Sequence, residues 1–142
     1  MKNFLCISSV VLLLFSCAEH NLPCTSDPQL WKQKVTREIY FGKRICDTDD
    51  KTGIQFFDVK DSRCPKDVQC FQAGKVVVVL NIIEDEKILF SFEMSDQEPV
   101  KEVEVRSEVY IFNLLKAEPY PEHSNPVKLS KYRIQLEVTP KD

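Results

Sequence analysis

No stretch of this chain repeats apolar residues at helical spacing for long; what repeats is a period of two. Residues 75–83, Lys-Val-Val-Val-Val-Leu-Asn-Ile-Ile, are β-branched on both faces, as in a central strand buried on both sides. The charged turn Glu84-Asp85-Glu86 follows. Residues 87–94 then place Phe90, Phe92 and Met94 on one face, which predicts a hairpin. Val103 and Val105 alternate with Glu102, Glu104 and Arg106, and residues 109–115 are apolar on both faces. Residues 132–138 send Tyr132, Ile134, Leu136 and Val138 inward and leave Arg133, Gln135 and Glu137 in water. Shorter strands are expected at 38–41 and 54–59. One helical turn is expected between Ser26 and Lys34, with Ser26 or Asp27 as cap and Pro28 in first position. About seven strands with short polar connections predict an all-β single domain, an antiparallel sandwich or barrel.

The chain has 142 residues, which holds one domain of ordinary size. Its glycines, Gly42, Gly53 and Gly74, stand too far apart for a dinucleotide fingerprint or a phosphate-cradling loop. A net charge of −3 gives no electrostatic footprint for nucleic acid.

The amino terminus sets the expected compartment. Lys2 gives a positive start, and residues 4–15 form an almost wholly apolar run. A helix needs ~20 residues to cross a bilayer core, so this shorter run reads as a secretory signal peptide. Leu14-Phe15-Ser16-Cys17 resembles a bacterial lipobox, with an aliphatic residue three before a cysteine and a small one just before it. The resemblance implies diacylglycerol transfer to Cys17, cleavage before it and acylation of the new terminus. Two or three acyl chains, at ~0.8 kcal/mol per buried CH₂, anchor a protein stably. The alternative is ordinary cleavage after Ala18, since Ser16-Cys17-Ala18 also fits a small-x-small site. The expected division is a signal peptide at 1–16, a lipid-anchored tether at 17–27 and a β domain at 28–142. Ala18 after the acylated cysteine resembles the sorting signal for the outer membrane, the expected location in a bacterial envelope.

Cys6 lies within the apolar run and leaves with the signal. Cys24, Cys46, Cys64 and Cys70 remain, an even set that suggests disulfides in an exported chain. Four cysteines allow three connectivities. The expected one has no crossing links: Cys64 with Cys70 around a small loop, and Cys24 with Cys46. There is no CxxC for thiol-redox chemistry, and the only histidines are His20, in the expected tether, and His123, far along the chain, so neither a metal nor a cofactor is expected.

Residues 117–128 hold Pro119, Pro121 and Pro126, with Tyr120 and His123 among them. The prolines forbid strand pairing and stiffen the connection. The expectation is a lid whose Tyr120 ring packs on the sandwich end; the functional alternative is a rigid loop that presents Tyr120 and His123 as a partner surface.

Asp61-Ser62-Arg63-Cys64-Pro65, followed by Cys70 and Ala73-Gly74, resembles a group of small bacterial lipoproteins of unknown function with a DSRCP…C-x-W-A-G motif. Their later Y-x-I-x-L, P-Y-P and final-strand segments correspond to residues 110–114, 119–121 and 132–138. The likeness spans roughly residues 54–138. It implies the Cys64–Cys70 pairing and a lipoprotein, and it names no reaction. Gln72 stands where that group carries Trp, with Phe71 before it, so either the packing role of that Trp is lost or Phe71 takes it over. Within the motif, Asp61 is expected to accept from the amides just after it, Arg63 to pair with Asp61 or Asp67, and Gly74 to permit a special backbone angle. The functional alternative makes Arg63 an anion contact.

His123 is the only candidate base in the domain, without a GxSxG partner, and disulfides consume the cysteines, so no catalytic constellation is complete. In Asp47-Thr-Asp-Asp-Lys-Thr-Gly53, Lys51 and Thr52 stand where a calcium loop needs an oxygen ligand and glycine. An irregular site on Asp47, Asp49 and Asp50 is the alternative to a solvated turn. The resulting expectation is a lipid-anchored envelope protein, held on the membrane through Cys17, that binds or scaffolds an envelope partner and is not an enzyme. A released binding or inhibitor domain and a small envelope enzyme are the alternatives.

Overall fold

The computed structural model describes residues 23–48, 51–123 and 125–142. Cys6, Cys17, His20, Asp49 and Asp50 lie outside them. The described residues form nine strands and one 3-10 turn: β1 (Cys24–Ser26), β2 (Val35–Tyr40), β3 (Arg44–Cys46), β4 (Thr52–Asp61), β5 (Val76–Glu84), β6 (Lys87–Ser95), β7 (Val100–Val105), β8 (Glu108–Glu118), the 3-10 turn Leu129–Lys131 and β9 (Arg133–Pro140). One sheet has the order β1-β3-β4-β5-β6 and the other β2-β9-β8-β7. All pairs are antiparallel except β1 with β3. The all-β expectation holds, and two packed sheets make it a sandwich. The two strands beyond the expected seven, β1 and β3, have three residues each, too few to show a period.

The expected alternation appears as a core between the sheets. Val76, Val78, Leu80 and Ile82 of β5 are fully buried, facing Phe112 and Leu114 of β8 and Ile134, Leu136 and Val138 of β9. Phe92 meets Phe112 edge-on across the sheets at 5.2 Å. Trp31 lies 4.9 Å from Tyr110, also edge-on. No helix among the described residues is long and apolar enough to cross a membrane.

The fold begins earlier than the expected boundary at residue 28. Cys24 forms a disulfide with Cys46, and the Asp27 amide donates to the Cys46 carbonyl at 2.6 Å. Asp27 is buried because Arg37 of β2 grips both its oxygens, at 2.6 and 3.1 Å. Residues 24–27 therefore belong to the domain and not to a tether. The expected helical turn is a pair of tight turns, with Leu30 N–H donating to Asp27 at 3.2 Å and Lys32 N–H to Gln29 at 3.1 Å. Gly53 lies opposite Cys46, where a Cβ would come within 2.7 Å of the Cys46 sulfur. Glycine there leaves room for the bridge.

Two hairpins turn through two residues each, Asp85-Glu86 and Arg106-Ser107, all four at positive φ between 46° and 66°. This is the primed-turn geometry that suits twisted strands. Both turns lie at one end of the sandwich, joined by an Arg106–Glu84 ion pair at 2.5 Å. At the opposite end, strand register gathers Asp61, Val76, Glu118 and Arg133. The long connections 62–75 and 119–132 both belong to that loop end.

Candidate binding site at the loop end

The loop end is built on Asp61, the last residue of β4. Its Oδ1 accepts from the Arg63 amide at 3.1 Å, the expected local turn. The Arg63 side chain folds back onto the same carboxylate, Nε to Oδ1 at 2.9 Å and Nη2 to Oδ2 at 2.5 Å. Tyr132, just before β9, donates its hydroxyl to Oδ2 at 2.9 Å. The pair is buried, with side-chain exposures of 8% for Arg63 and 6% for Asp61.

Arg63 then reaches the other sheet. Nη1 donates to the Ala117 carbonyl at 2.9 Å and Nη2 to the Pro119 carbonyl at 3.1 Å. The Tyr120 ring lies against the guanidinium, 4.6 Å from centroid to carbon. One side chain thus ties β4 to the proline-rich connection. With four hydrogen bonds made and one face covered, this buried group does not fit the alternative role of an anion contact.

The electrostatics agree with this arrangement. Burial raises the Asp61 carboxyl, but the Arg63 and Tyr132 hydrogen bonds outweigh it and hold Asp61 below the ordinary carboxylate range. Burial and the Asp61 charge push the Tyr132 hydroxyl up to about 12.

The Cys64–Cys70 disulfide closes the second loop, as expected, with Cα atoms 5.8 Å apart. Its base is fixed by Ser62, whose amide and hydroxyl both donate to the Lys75 carbonyl at 2.9 Å. Gly74 belongs to that base for a different reason from the one expected. Its φ is not positive; instead a Cβ there would lie 1.6 Å from the Ser62 carbonyl oxygen. Close backbone approach requires the glycine.

The two loops are joined directly. The Lys66 amide donates to the Pro121 carbonyl at 3.1 Å, the His123 amide donates to Asp67 Oδ1 at 2.6 Å, and the Lys66 ammonium pairs with Glu122. Tyr120 and His123 therefore do share a surface, but His123 contributes its backbone to the junction. Tyr120 satisfies both sequence readings: one face stacks on Arg63, and the residue remains 49% exposed.

The exposure of Phe71 was not foreseen from the sequence, which offered its ring as a packing replacement for the Trp of the resembling lipoproteins. Beside Cys70, where the resembling group carries its aromatic one position later, Phe71 projects with 105% relative exposure. Its ring does not take over a packing role. The only sequence signal was an aromatic residue within a polar, disulfide-closed loop. Val68 of the same loop is 40% exposed. Grooves of about 460 and 570 Å³ flank Tyr120. Among the described residues no three His, Cys, Asp or Glu side chains converge to hold a metal ion.

No family model, no curated protein and no solved structure matches this chain.

Proposed function

We propose that this is a lipid-anchored bacterial envelope protein whose sandwich presents the joined loops to a protein partner, and that it binds or scaffolds rather than catalyses. The observation that carries this reading is the contrast at the loop end. Asp61 and Arg63 are buried to fix two loops as one unit, yet that unit leaves Phe71 wholly in solvent and Tyr120 half-exposed. Aromatic side chains on a rigid frame bind at low entropic cost, and burying one such ring is worth ~1.5–3 kcal/mol.

The amino-terminal sequence supports the anchor. Cys17 precedes Cys24 by seven residues, which reach at most ~25 Å when fully extended. The Cys24–Cys46 disulfide ends that leash on the sandwich edge, so an acylated Cys17 holds the domain beside the membrane rather than across the envelope. The likeness to small lipoproteins with the DSRCP motif points the same way.

Mass spectrometry of the mature amino terminus tests the anchor. An N-terminal peptide that starts at an acylated Cys17 is expected; an unmodified terminus at Glu19 overturns the lipid-anchored reading in favour of a released domain. For the binding role, the purified protein is expected to retain a stoichiometric envelope partner that both Phe71→Ser and Tyr120→Ala release. A partner unaffected by either change places binding elsewhere.

A further inference from the structure

We infer that the groove between Tyr120 and the 3-10 turn takes an extended, acidic segment of the partner protein; this deepens the binding role proposed above and rests on it. The groove is open along one side and has a volume of about 570 Å³, within the ~300–1,000 Å³ of ordinary ligand sites. Pro119, Tyr120, Pro126 and Val127 supply its apolar surface. Aromatic and proline surfaces of this kind receive extended, proline-containing peptides.

Charge selects the peptide. The chain carries a net −3, yet this groove is lined by four cations against two carboxylates. Both carboxylates are already engaged: Glu118 by Lys116 and Arg133, and Glu122 by Lys66. Lys128 and Lys131 line the groove and have no ion partner among the described residues. The unbalanced charge is therefore positive and lies beside an apolar surface. The walls are set in advance, because Arg63 backs Tyr120 and three prolines stiffen the connection. A concave floor suits a chain laid into it. A bilayer would meet only the protruding side chains.

The test uses the full mature protein and two labelled heptapeptides, Glu-Pro-Glu-Leu-Glu-Pro-Glu and the same sequence with Lys for every Glu. Vesicles of phosphatidylglycerol and phosphatidylethanolamine serve as the lipid probe. The acidic peptide is expected to bind at least about tenfold more tightly than the basic one, and to weaken as salt rises. Lys128→Glu with Lys131→Glu is expected to weaken it about tenfold again, with Trp31 fluorescence unchanged. Ile88→Ser, at the opposite hairpin-turn end and 55% exposed, is expected to leave peptide affinity within about twofold. Equal binding of the two peptides, or an unchanged affinity after the double charge reversal, overturns the inference. So does charge-dependent vesicle binding without peptide binding. If the acidic peptide fails while Phe71→Ser and Tyr120→Ala still release the partner, this inference falls and the binding role stands.

Discussion

Removing the Arg63 side chain is the sharpest perturbation of the loop end. Arg63→Ala breaks both contacts to Asp61 and both to the carbonyls of Ala117 and Pro119. The Ala117 and Pro119 carbonyls can rehydrate where the side chain leaves space. Asp61 cannot do so as readily: its side chain is 6% exposed and would keep the Tyr132 hydroxyl and the residue 63 amide as partners. Breaking a buried pair by removing one member costs ~3–5 kcal/mol, a large share of a domain's ~5–15 kcal/mol. Arg63→Lys keeps a cation but not the planar fork, so it should lose ~1–2 kcal/mol. The diagnostic variant is Arg63→Ala with Asp61→Ala. Without the stranded carboxylate it should be more stable than Arg63→Ala alone by about 1 kcal/mol. Equilibrium urea unfolding of the disulfide-intact protein, followed by the single Trp31, measures all three. The pH dependence adds a check. Asp61 is depressed in the fold, so its contribution is present above the ordinary carboxylate pKa and lost as pH falls through its lower folded value. The double variant should lack that acid-side loss. An Arg63→Ala change within ~0.5 kcal/mol of wild type, or a double variant less stable than the single, would refute the reasoning.

Loop-closure entropy makes Cys64→Ser cost ~2 kcal/mol and Cys24→Ser ~3 kcal/mol by urea unfolding, and thiol titration of the unreduced mature protein should find no free cysteine. Ser107→Gly should stabilise the protein by ~0.5–1 kcal/mol in the same assay, because it relieves a positive-φ serine in the β7–β8 turn. Gly74→Ala should prevent native closure of the 62–75 loop, seen as lost protection of the Ser62 and Lys75 amides in hydrogen exchange, since the new methyl would overlap the Ser62 carbonyl. Tyr132 and Tyr110 are both raised to about 12 in the fold. Their stabilisation is complete below the ordinary tyrosine pKa near ~10 and declines as pH rises toward 12; Tyr132→Phe should flatten that alkaline decline in urea titrations.

The strands were legible wherever burial imposed a period of two. Tyr132, Ile134, Leu136 and Val138 face inward as their alternation required, and the hairpin around Asp85-Glu86 showed itself by its charge. Arg106-Ser107 gave no such sign, because neither residue is a usual choice at positive φ. Local chemistry could be read from the motif: Asp61 does cap Arg63. The long-range half of the same cluster could not. Arg63 finds carbonyls 54 and 56 residues away, and Tyr132 reaches Asp61 across 71 residues. Only the strand registers set those meetings. Phe71 was obscured for a related reason, since an aromatic ring beside a disulfide suggests packing until the fold shows nothing above it.

The binding role rests on the loop end being the surface a partner meets. Photocrosslinking in intact cells tests this directly, with the reactive residue placed at Phe71, at Tyr120, or at Ile88. Ile88 is a suitable control because it is 55% exposed and lies at the opposite, hairpin-turn end. Crosslinked partner is expected from positions 71 and 120 and not from 88. Adducts from 88 alone, or equal adducts from all three, would contradict the account.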